Sequence, residues 1–288
     1  MSYFLDGRQV RDKKAQILIK RISAFSTKLK LVILQVGNVS ESNSYIEQKK
    51  FFGTKIGVLV EHIKFPETVS QAEIESAIEL NNRDASVHGI ILQLPIPARI
   101  DWREVVNTID PEKDVDGLTR ENLSILVHGG KGGHMPATAR GVLSLLKDYK
   151  IEVAGKKVVV VGRSALVGKP IALSLLNEQA TVTICHSKTQ NLNEETKRAD
   201  ILIVAIGKAH FINESHVREG QIVIDVGINS VGQPSLQEEI PKRKLVGDVF
   251  TEKVTSIVDG ISPVPGGVGP LTVLSLFENL ADAYEKQV

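Results

Sequence analysis

A tyrosine and a lysine, Tyr45 and Lys49, stand four residues apart in the segment SNSYIEQKK at 42–50. The segment has a helical pattern, and residues four apart share one face of a helix. A phenol beside an amine can polarise a bound molecule and transfer protons, above all if burial lowers the pKa of the lysine. An isolated pair of this kind is more typical of a solvent-exposed helix face.

Two further polar residues follow strand and turn signals. Gln93 lies in QLPIP at 93–97, where an apolar run ends, and Asp116 lies in the turn KDVDG at 113–117. Ligands of open α/β sheets bind beyond the carboxyl ends of the strands, so we expect Gln93 and Asp116 to share a cleft. An aspartate before a glycine is also a common structural turn. The histidines and the single cysteine show no metal-ligand spacing, which predicts no metal site.

A strand, a glycine-containing turn and the start of a helix follow one another in VVVVGRSALVGKP at 158–170. Gly162, Ser164 and Gly168 occupy the tight positions of this turn. Small residues at such positions let the backbone approach a pyrophosphate at a helix N-terminus. One such motif can be merely a tight connection, but here it opens a series of strands, which favours a dinucleotide site.

The next strand distinguishes between the nicotinamide dinucleotides. NAD sites usually carry an acidic residue about 20 residues on, which accepts a hydrogen bond from the ribose 2′-hydroxyl. Here the strand ends in Cys185, His186 and Ser187 without an acid, and Arg163 lies in the turn itself. Arginine and hydroxyl donors form charge-assisted hydrogen bonds with a 2′-phosphate, so we expect NADP. The alternative is that Arg163 and His186 are ordinary loop residues.

A second glycine-dense loop, VPGGVGP at 264–270, follows the last predicted strand. Glycines there are consistent with backbone that lies close to a flat ligand such as a nicotinamide ring. A turn between two elements explains the same residues equally well.

The elements that must position these residues alternate between helix and strand along almost the whole chain. A capping box of Ser70 and Glu73 begins one of the helices, which are predicted at 8–25, 42–55, 70–82, 138–149 and 271–286. Strands are predicted at 29–36, 58–65, 88–94, 156–161, 181–185, 201–206, 221–226 and 244–249. They are continuous apolar runs, as expected when helices cover both faces of a parallel sheet.

This alternation predicts an α/β protein of two domains with a cleft between them. The first is an N-terminal α/β catalytic domain at 1–140, to which we add the C-terminal helix at 271–288. The second is a Rossmann-like, doubly wound dinucleotide-binding domain at 141–270. A chain of 288 residues suits two domains of roughly 150 residues each.

Composition excludes several classes of protein. The net charge of +1, with acids and bases interspersed, provides no basic stripe of the kind that binds nucleic acid. The N-terminal segment lacks the apolar core of a signal peptide, and no apolar run approaches the ~20 residues that cross a bilayer. Cys185 is the only cysteine, which fits a reducing compartment. We therefore expect a cytoplasmic protein that binds neither nucleic acid nor a membrane.

In combination the segments resemble the bifunctional methylenetetrahydrofolate dehydrogenase/methenyltetrahydrofolate cyclohydrolase family. The matching stretches occur in the family's order and cover nearly the whole chain: VGNVSESNSYIEQKK, ILQLPIP, PEKDVDG, VVVGRSALVGKP, ATVTICHSKT, ADILIVAIGKAHF, VIDVGIN, VGDV and SPVPGGVGPLT. The resemblance implies NADP-dependent oxidation of 5,10-methylenetetrahydrofolate and hydrolysis of the 5,10-methenyl product to 10-formyltetrahydrofolate. It also implies a folate-binding N-terminal domain, a homodimer, and a role in one-carbon metabolism and purine biosynthesis.

The resemblance gives each candidate residue of the first half a role. Tyr45 matches the residue that stacks on the pterin, and Lys49 matches the lysine needed for the cyclohydrolase step. Gln93 matches the residue that supports this lysine. Asp116 matches the carboxylate that anchors the pterin ring.

The second half carries the residues that the resemblance implies for the cofactor. Arg163, Ser164, His186 and Ser187 match positions near the NADP 2′-phosphate and its ribose. The cofactor set is completed by Gly162, Gly168 and Ile228, and the loop residues Pro265, Gly266 and Gly267 are expected to flank cofactor and substrate.

Three departures from the family pattern accompany the matches. A His-Pro pair is usual after KDVDG, whereas this chain has Leu118, Thr119 and Arg120. The usual PCTPxG is PATARG at 136–141, with Ala137 and Ala139 in place of Cys and Pro, and Phe51 stands where a second lysine is usual. The proposed chemical residues are intact, so the departures bear on rates and affinity more than on the class of reaction.

Alternative functions remain open at the level of sequence. A Tyr-x-x-x-Lys pair also occurs in short-chain dehydrogenases, but there it follows the glycine-rich turn, whereas here it precedes that turn. A different two-domain NADP oxidoreductase, similar to shikimate dehydrogenase, is the first alternative. A catalytically silent dinucleotide-binding protein is the second.

Overall fold

The apolar runs of the sequence form two parallel sheets in a computed structural model, which describes residues 3–130, 132–232 and 244–287. The chain divides into two compact units. The three-stranded unit contains the described residues of Asp12–Ala137 and Val273–Val288. The six-stranded unit contains the described residues of Met1–Arg11 and Thr138–Thr272.

The predicted helices correspond to α1, α2, α3, α6 and α10, with small shifts of their ends. In chain order the helices are α1 Gly7–Ser23, α2 Ser40–Lys55, α3 Gln71–Arg83, α4 Trp102–Asn107, α5 Arg120–Val127, α6 Ala137–Asp148, α7 Gly168–Asn177, α8 Leu192–Lys197, α9 Thr251–Val254 and α10 Val268–Gln287. The strands are β1 Tyr3–Phe4, β2 Lys30–Val36, β3 Leu59–Phe65, β4 Gly89–Gln93, β5 Lys157–Val161, β6 Thr181–Cys185, β7 Ile201–Val204, β8 Ile222–Asp225, β9 Asn229–Val231, β10 Lys244–Val246 and β11 Gly260–Ile261.

The three-stranded unit is built on a parallel sheet with the order β3-β2-β4. Its register places Gln35 of β2 beside Gln93 of β4 and beside Lys64 of β3, so these polar residues meet at one end of the sheet. One face of the sheet packs on α3 through Ile74 and Ile78. Burial of each such side chain contributes about 1.5–3 kcal/mol.

Side chains form hydrogen bonds with the backbone at both ends of helix α3. Ser70 and Glu73 form the predicted capping box, in which Ser70 N–H donates to Glu73 Oε2 at 2.8 Å, so this prediction is confirmed. Beyond the other end, Lys113 Nζ donates to the carbonyl oxygens of Asn82 at 2.7 Å and Asp84 at 2.8 Å. The turn that contains Lys113 and Asp116 is thereby attached to the end of α3.

The six-stranded unit is built on a sheet with the order β1-β11-β8-β7-β5-β6, in which every pair of neighbours is parallel. After β5 the chain adds β6 on one side and then β7 on the other. Strand order therefore reverses at β5, and in doubly wound sheets the crevice beyond the carboxyl ends at such a point binds the ligand. Val159, Val161, Leu202, Val204 and Val223 belong to the core that supports this edge.

Two details differ from the sequence prediction. The predicted strand at 244–249 does not extend the parallel series, because β10 pairs antiparallel with β9 in a separate two-stranded sheet. The described residues before Asp12 lie in the six-stranded unit and not in the N-terminal domain, because β1 pairs with β11 through Tyr3 and Gly260.

Helix length and hydropathy also bear on the predicted absence of membrane spans. Among the described helices, none combines the length and the apolar character that a bilayer crossing requires.

Candidate active site

The lysine of α2 lies against the glutamine that ends β4. Lys49 Nζ donates to Gln93 Oε1 at 2.9 Å. Ile46, one turn earlier, is fully buried, so this side of α2 faces protein and Lys49 is half-buried. Gln93 Nε2 donates to the Leu94 carbonyl oxygen at 2.9 Å, which leaves the Gln93 carbonyl oxygen directed toward the amine. The predicted pair of Lys49 and Gln93 therefore forms in the structure.

A second glutamine of the same sheet, Gln35, forms a hydrogen bond with the first part of α2. Gln35 is buried beside Gln93 in the register, and its Nε2 donates to Asn43 Oδ1 at 2.7 Å. His62 Nε2 lies 2.9 Å from Gln35 Oε1. Two neighbouring glutamines of the sheet thus contact α2 on either side of Tyr45, and they set the position of the helix.

The turn that carries Asp116 is organised by its other aspartate. Asp114 is buried and its carboxylate accepts hydrogen bonds from Gly117 N–H at 3.0 Å and Thr119 N–H at 2.7 Å. Gly117 has a φ of +72°, and a Cβ there would lie 2.6 Å from the His134 carbonyl oxygen, so only glycine fits. Sequence reasoning selected Asp116 and gave Asp114 no role, whereas in the structure Asp114 shapes the turn and the Asp116 side chain takes no part in these hydrogen bonds.

The C-terminal helix supports the same turn. Asn279 of α10 is buried and donates to the carbonyl oxygens of Val115 at 2.8 Å and Met135 at 2.9 Å. Sequence reasoning missed this role, since Asn279 lies more than 160 residues from Val115 in the chain.

Lys49 and Asp116 are close enough for each to affect the charge of the other. Burial lowers the pKa of Lys49 below its usual range, and the negative charge of Asp116 opposes this in part. Burial raises the pKa of Asp116, with Lys49 opposing and Asp114 adding to the rise. A lysine with a lowered pKa has a larger neutral fraction near pH 7, as proton transfer requires.

Tyr45 lies one turn before Lys49 on α2 and is half-buried. The structure thus brings the four predicted residues of the first half, Tyr45, Lys49, Gln93 and Asp116, into the three-stranded unit. They come from one helix, the end of one strand and one turn.

The glycine-containing turn of the six-stranded unit has the shape that a dinucleotide requires. Gly162 follows β5 with a φ of +133°, and a Cβ there would lie 2.2 Å from the Ala205 carbonyl oxygen. A Cβ on Gly168, the first residue of α7, would lie 2.3 Å from the Gly162 carbonyl oxygen. Ser164 Oγ accepts from Val167 N–H at 3.1 Å. The backbone therefore folds tightly at the reversal point of the sheet, where a pyrophosphate can approach the start of α7.

Arg163 and His186 follow the ends of two adjacent strands. Val161 of β5 pairs with Cys185 of β6, so the residues after them emerge side by side. The loop after β6 is closed by Thr189, whose Oγ1 accepts from His186 N–H at 2.8 Å. Arg163 and Ser187 are exposed, so their side chains are available for contact with a ligand.

The remaining predicted residues lie in the same six-stranded unit. Ile228 follows β8 and is 38% exposed, which leaves its side chain available for contact. In the loop before α10, Gly266 has a φ of +117° and its carbonyl oxygen accepts from Gly7 N–H at 2.9 Å. Gly267 N–H donates to the Pro263 carbonyl oxygen at 2.7 Å. Pro265, Gly266 and Gly267, predicted as substrate residues, thus share a unit with the predicted cofactor residues and not with Lys49.

The departures from the family pattern have visible local roles. Thr119 caps α5, since its side chain accepts from Asn122 N–H, and Arg120 forms an ion pair with Glu104. Phe51 is 75% exposed on α2. Ala137 and Ala139 are buried at the start of α6. Two of these residues also contact the 113–117 turn through their backbone: Thr119 N–H donates to Asp114 Oδ2 at 2.7 Å, and Ala137 N–H donates to the Asp116 carbonyl oxygen at 3.3 Å.

Two family models match the chain at these places. The tetrahydrofolate dehydrogenase/cyclohydrolase catalytic domain matches residues 5–116, and the NAD(P)-binding domain of the same family matches residues 136–288. The chain belongs to this family. It is therefore a dehydrogenase/cyclohydrolase that acts on tetrahydrofolate derivatives with a nicotinamide dinucleotide. The predicted family, the two-domain α/β fold and the two activities are confirmed.

Similar proteins match over nearly their whole lengths. The bifunctional protein FolD of Ligilactobacillus salivarius is 42% identical, over 99% of this chain and 97% of that protein. The crystal structure of a FolD enzyme from Campylobacter jejuni, at 35% identity, covers 100% of both chains with a TM-score of 0.93. A FolD structure from Trypanosoma brucei, complexed with NADP cofactor and an inhibitor, has a TM-score of 0.93 at 31% identity over 99% of this chain and 98% of that one.

The alternative of a shikimate dehydrogenase-like enzyme finds less support. A shikimate 5-dehydrogenase from Thermus thermophilus is 15% identical, over 90% of this chain and 100% of that one, with a TM-score of 0.52. A likeness of this degree shows a shared fold alone.

Proposed function

We propose that this chain oxidises 5,10-methylenetetrahydrofolate with NADP⁺ and then hydrolyses the 5,10-methenyl product to 10-formyltetrahydrofolate through Lys49, Gln93 and Asp116. The observation that carries the assignment of residues is the hydrogen bond of 2.9 Å between Lys49 and Gln93, beside Asp116 in the three-stranded unit. That unit is the folate-binding catalytic domain, and the six-stranded unit is the NADP-binding domain.

Lys49 manages the protons of the hydrolysis. The oxygen of a water molecule bonds to the methenyl carbon, and the neutral amine of Lys49 takes the proton that the water loses. The bond from this carbon to N5 then breaks, and N5 takes the proton back from the Lys49 ammonium. The hydroxyl group on the carbon releases its own proton to solvent and becomes the formyl carbonyl, so that one proton is released overall. Gln93 holds the amine in place, because its carbonyl oxygen accepts one of the amine hydrogens. Burial lowers the pKa of Lys49 and so raises the fraction of the neutral amine that can accept a proton.

Tyr45 and Asp116 orient the folate. Tyr45 offers an aromatic ring on the same face of α2 as Lys49, and stacking on the pterin suits an aromatic ring. Asp116 offers a carboxyl group that can bond the ring nitrogens and amino group of a pterin. The fixed turn around Asp114 and Gly117 supports this role, because it limits the positions that Asp116 can take.

The cofactor is NADP, which accepts a hydride at its nicotinamide ring when bound. Gly162 and Gly168 let the backbone approach the pyrophosphate, with Ser164 shaping the turn between them. Arg163, with His186 and Ser187 on the next loop, bonds the 2′-phosphate. Ile228, Pro265, Gly266 and Gly267 flank the nicotinamide and the substrate. The NADP-bound Trypanosoma brucei structure supports the choice of NADP over NAD.

Three further properties belong to the proposal. The enzyme acts in the cytoplasm, forms a homodimer through its NADP-binding domain, and supplies the 10-formyl group for purine biosynthesis. The single, buried Cys185 supports a reducing compartment. The homodimer and the metabolic role rest on the family resemblance.

One assay tests the proposed function. The purified chain is mixed with NADP⁺ and 5,10-methylenetetrahydrofolate, and the absorbance of NADPH and of the methenyl product is followed. The methenyl compound is then supplied alone, and its loss is measured after subtraction of the uncatalysed rate. We expect both reactions, and none with shikimate as substrate. Absence of NADPH formation with the folate would refute the proposal, and turnover of shikimate would favour the alternative.

A further inference from the structure

Two aspartates that sequence reasoning did not assign are buried at the carboxyl end of the six-stranded sheet. Asp225 is the last residue of β8, and Asp248 follows β10 by two residues. Their exposed fractions are 1% and 0%. A buried carboxylate is costly unless donors surround it, so the contacts of these two side chains must offset a large desolvation penalty.

Asp248 holds the loop that follows β7. Its Oδ2 accepts from Ile206 N–H at 2.7 Å and from Gly207 N–H at 3.0 Å, and its Oδ1 accepts from Lys208 N–H at 2.8 Å. Asn229 Nδ2 also donates to Oδ1, at 2.9 Å. Three successive backbone N–H groups that converge on one anion form a nest, and here the anion belongs to the protein itself.

Asp225 ties the backbone around Asp248 to the end of β8. Its Oδ1 accepts from Gly227 N–H and Asp248 N–H, both at 3.0 Å, and its Oδ2 accepts from Val249 N–H at 2.8 Å. A Cβ on Gly247, the residue after β10, would lie 1.8 Å from Asp225 Oδ2, so the chain must carry glycine there. Burial raises the pKa of Asp225 to about 7, which shows how strongly the fold removes this carboxyl group from water.

The two carboxylates therefore determine the shape of both loops that face the reversal point. One is the 205–208 loop, whose Ala205 carbonyl oxygen packs on Gly162 of the glycine-containing turn. The other is the 226–229 loop, which contains Ile228. In doubly wound sheets the loops at these strand ends surround the dinucleotide.

We propose that Asp248 and Asp225 are positioning residues of the dehydrogenase reaction, which set the loops at 205–208 and 226–229 for NADP and take no part in the cyclohydrolase reaction. This inference rests on the proposed function. Both residues belong to the NADP-binding domain, and their loss should reduce the dehydrogenase activity while the cyclohydrolase activity is kept.

Asp248→Asn tests the inference. Whichever way the new amide turns, its NH₂ group faces two donors, because each carboxylate oxygen accepts two hydrogen bonds. We expect kcat/KM for NADP⁺ to fall about tenfold or more, mainly through KM, as for the loss of charge-assisted hydrogen bonds. Hydrolysis of methenyltetrahydrofolate, measured without NADP⁺, should stay within about twofold of the wild type.

Asp200→Asn is the matched control. Asp200 belongs to the same unit, and its Oδ2 accepts from Lys157 N–H at 2.9 Å at the amino end of the same sheet. Its replacement should leave both reactions within about twofold of wild type. Asn229→Ala is a milder variant that removes one contact to Asp248, and it should reduce kcat/KM for NADP⁺ about fivefold.

The outcomes separate a positioning role from a purely structural one. Parallel loss of both activities in Asp248→Asn, unchanged NADP⁺ kinetics, or an equal loss in Asp200→Asn would overturn the inference. If circular dichroism shows that Asp248→Asn is unfolded, Asn229→Ala decides by the same criteria. A wild-type chain that fails to reduce NADP⁺ with the folate would refute the proposed function instead.

Discussion

Removal of the amine of Lys49 should divide the two activities of this enzyme. Lys49→Met retains much of the length and apolar surface of the side chain, so packing around α2 changes little. The substitution removes the donor to Gln93 at 2.9 Å and the group whose pKa is lowered by burial. The variant should therefore lose the proton transfer that the amine performs and keep the packing around α2.

The expected magnitude follows from that role. General acid–base groups contribute typically ~10²–10⁴-fold, which corresponds to about 2.7–5.4 kcal/mol of transition-state stabilisation. We expect the hydrolysis of methenyltetrahydrofolate to slow by this factor. Hydride transfer depends mainly on how the two rings are held, so NADP⁺ reduction should fall far less. Affinity for NADP⁺ should be unchanged, because Lys49 lies in the other unit.

Lys50→Met provides a matched control on the neighbouring residue of α2. Lys50 is half-buried and its Nζ pairs at 2.9 Å with Glu47, an exposed residue of the same helix; a pair of this kind contributes about 0–1 kcal/mol. Both reactions of this variant should stay within about twofold of wild type. Stopped-flow absorbance of the methenyl compound, with the uncatalysed rate subtracted, measures the hydrolysis.

Two results would contradict the reasoning about Lys49. Unchanged hydrolysis in Lys49→Met would remove the amine from the mechanism. An equal collapse of hydrolysis and NADP⁺ reduction would make Lys49 a residue that orients the folate. The pH profile gives an independent check: because the neutral amine is the active form, wild-type hydrolysis should rise as pH increases through the lowered pKa, and Lys49→Met should lose this limb.

Other substitutions test the cofactor domain and the assembly. Arg163→Ala should weaken NADP⁺ at least about tenfold and barely affect NAD⁺ in calorimetric titrations at one ionic strength, and equal losses for both would contradict the 2′-phosphate assignment. Burial raises the pKa of Asp225 to about 7, so the folded state holds the proton of this carboxyl group more tightly than the unfolded state does. The stability that this group contributes is therefore lost as pH rises from about 4 to about 7. In Asp225→Asn the free energy of unfolding, measured by urea titration at several pH values, should fall less steeply with pH, by up to about 1.4 kcal/mol per pH unit. A pH dependence equal to that of the wild type would refute the raised pKa of Asp225. Light scattering at micromolar concentration should give about twice the chain mass of 31.4 kDa, and the monomer mass would contradict the homodimer.

The sequence by itself determined most of the elements and the identity of the candidate residues. Continuous Val, Ile and Leu runs predicted the parallel strands, and Ser70 with Glu73 predicted the start of α3. The glycine-containing turn could be predicted as well, because Gly162 and Gly168 lie close together in the chain and the backbone around them leaves no room for a side chain. Features of this kind depend on neighbours along the chain, which a sequence displays directly.

Pairing between distant segments was decided only by the tertiary structure. The run at 244–249 was predicted to continue the series of strands, yet β10 pairs antiparallel with β9. The first described residues, from Tyr3 on, lie in the six-stranded unit, because Tyr3 pairs with Gly260, far along the chain. Periodicity states which face of a strand is apolar but not which strand will lie beside it.

The electrostatic character of the sites was also a product of the fold. Sequence reasoning required a lowered pKa for Lys49 but could not provide it, since the lowering comes from atoms of several elements that surround the amine. Asp225 and Asp248 were passed over for the same reason: in the sequence each is an aspartate near a glycine, and most of their donors lie 23 to 42 residues away in the chain. Burial and hydrogen-bond geometry belong to the folded chain, because they arise where distant segments meet.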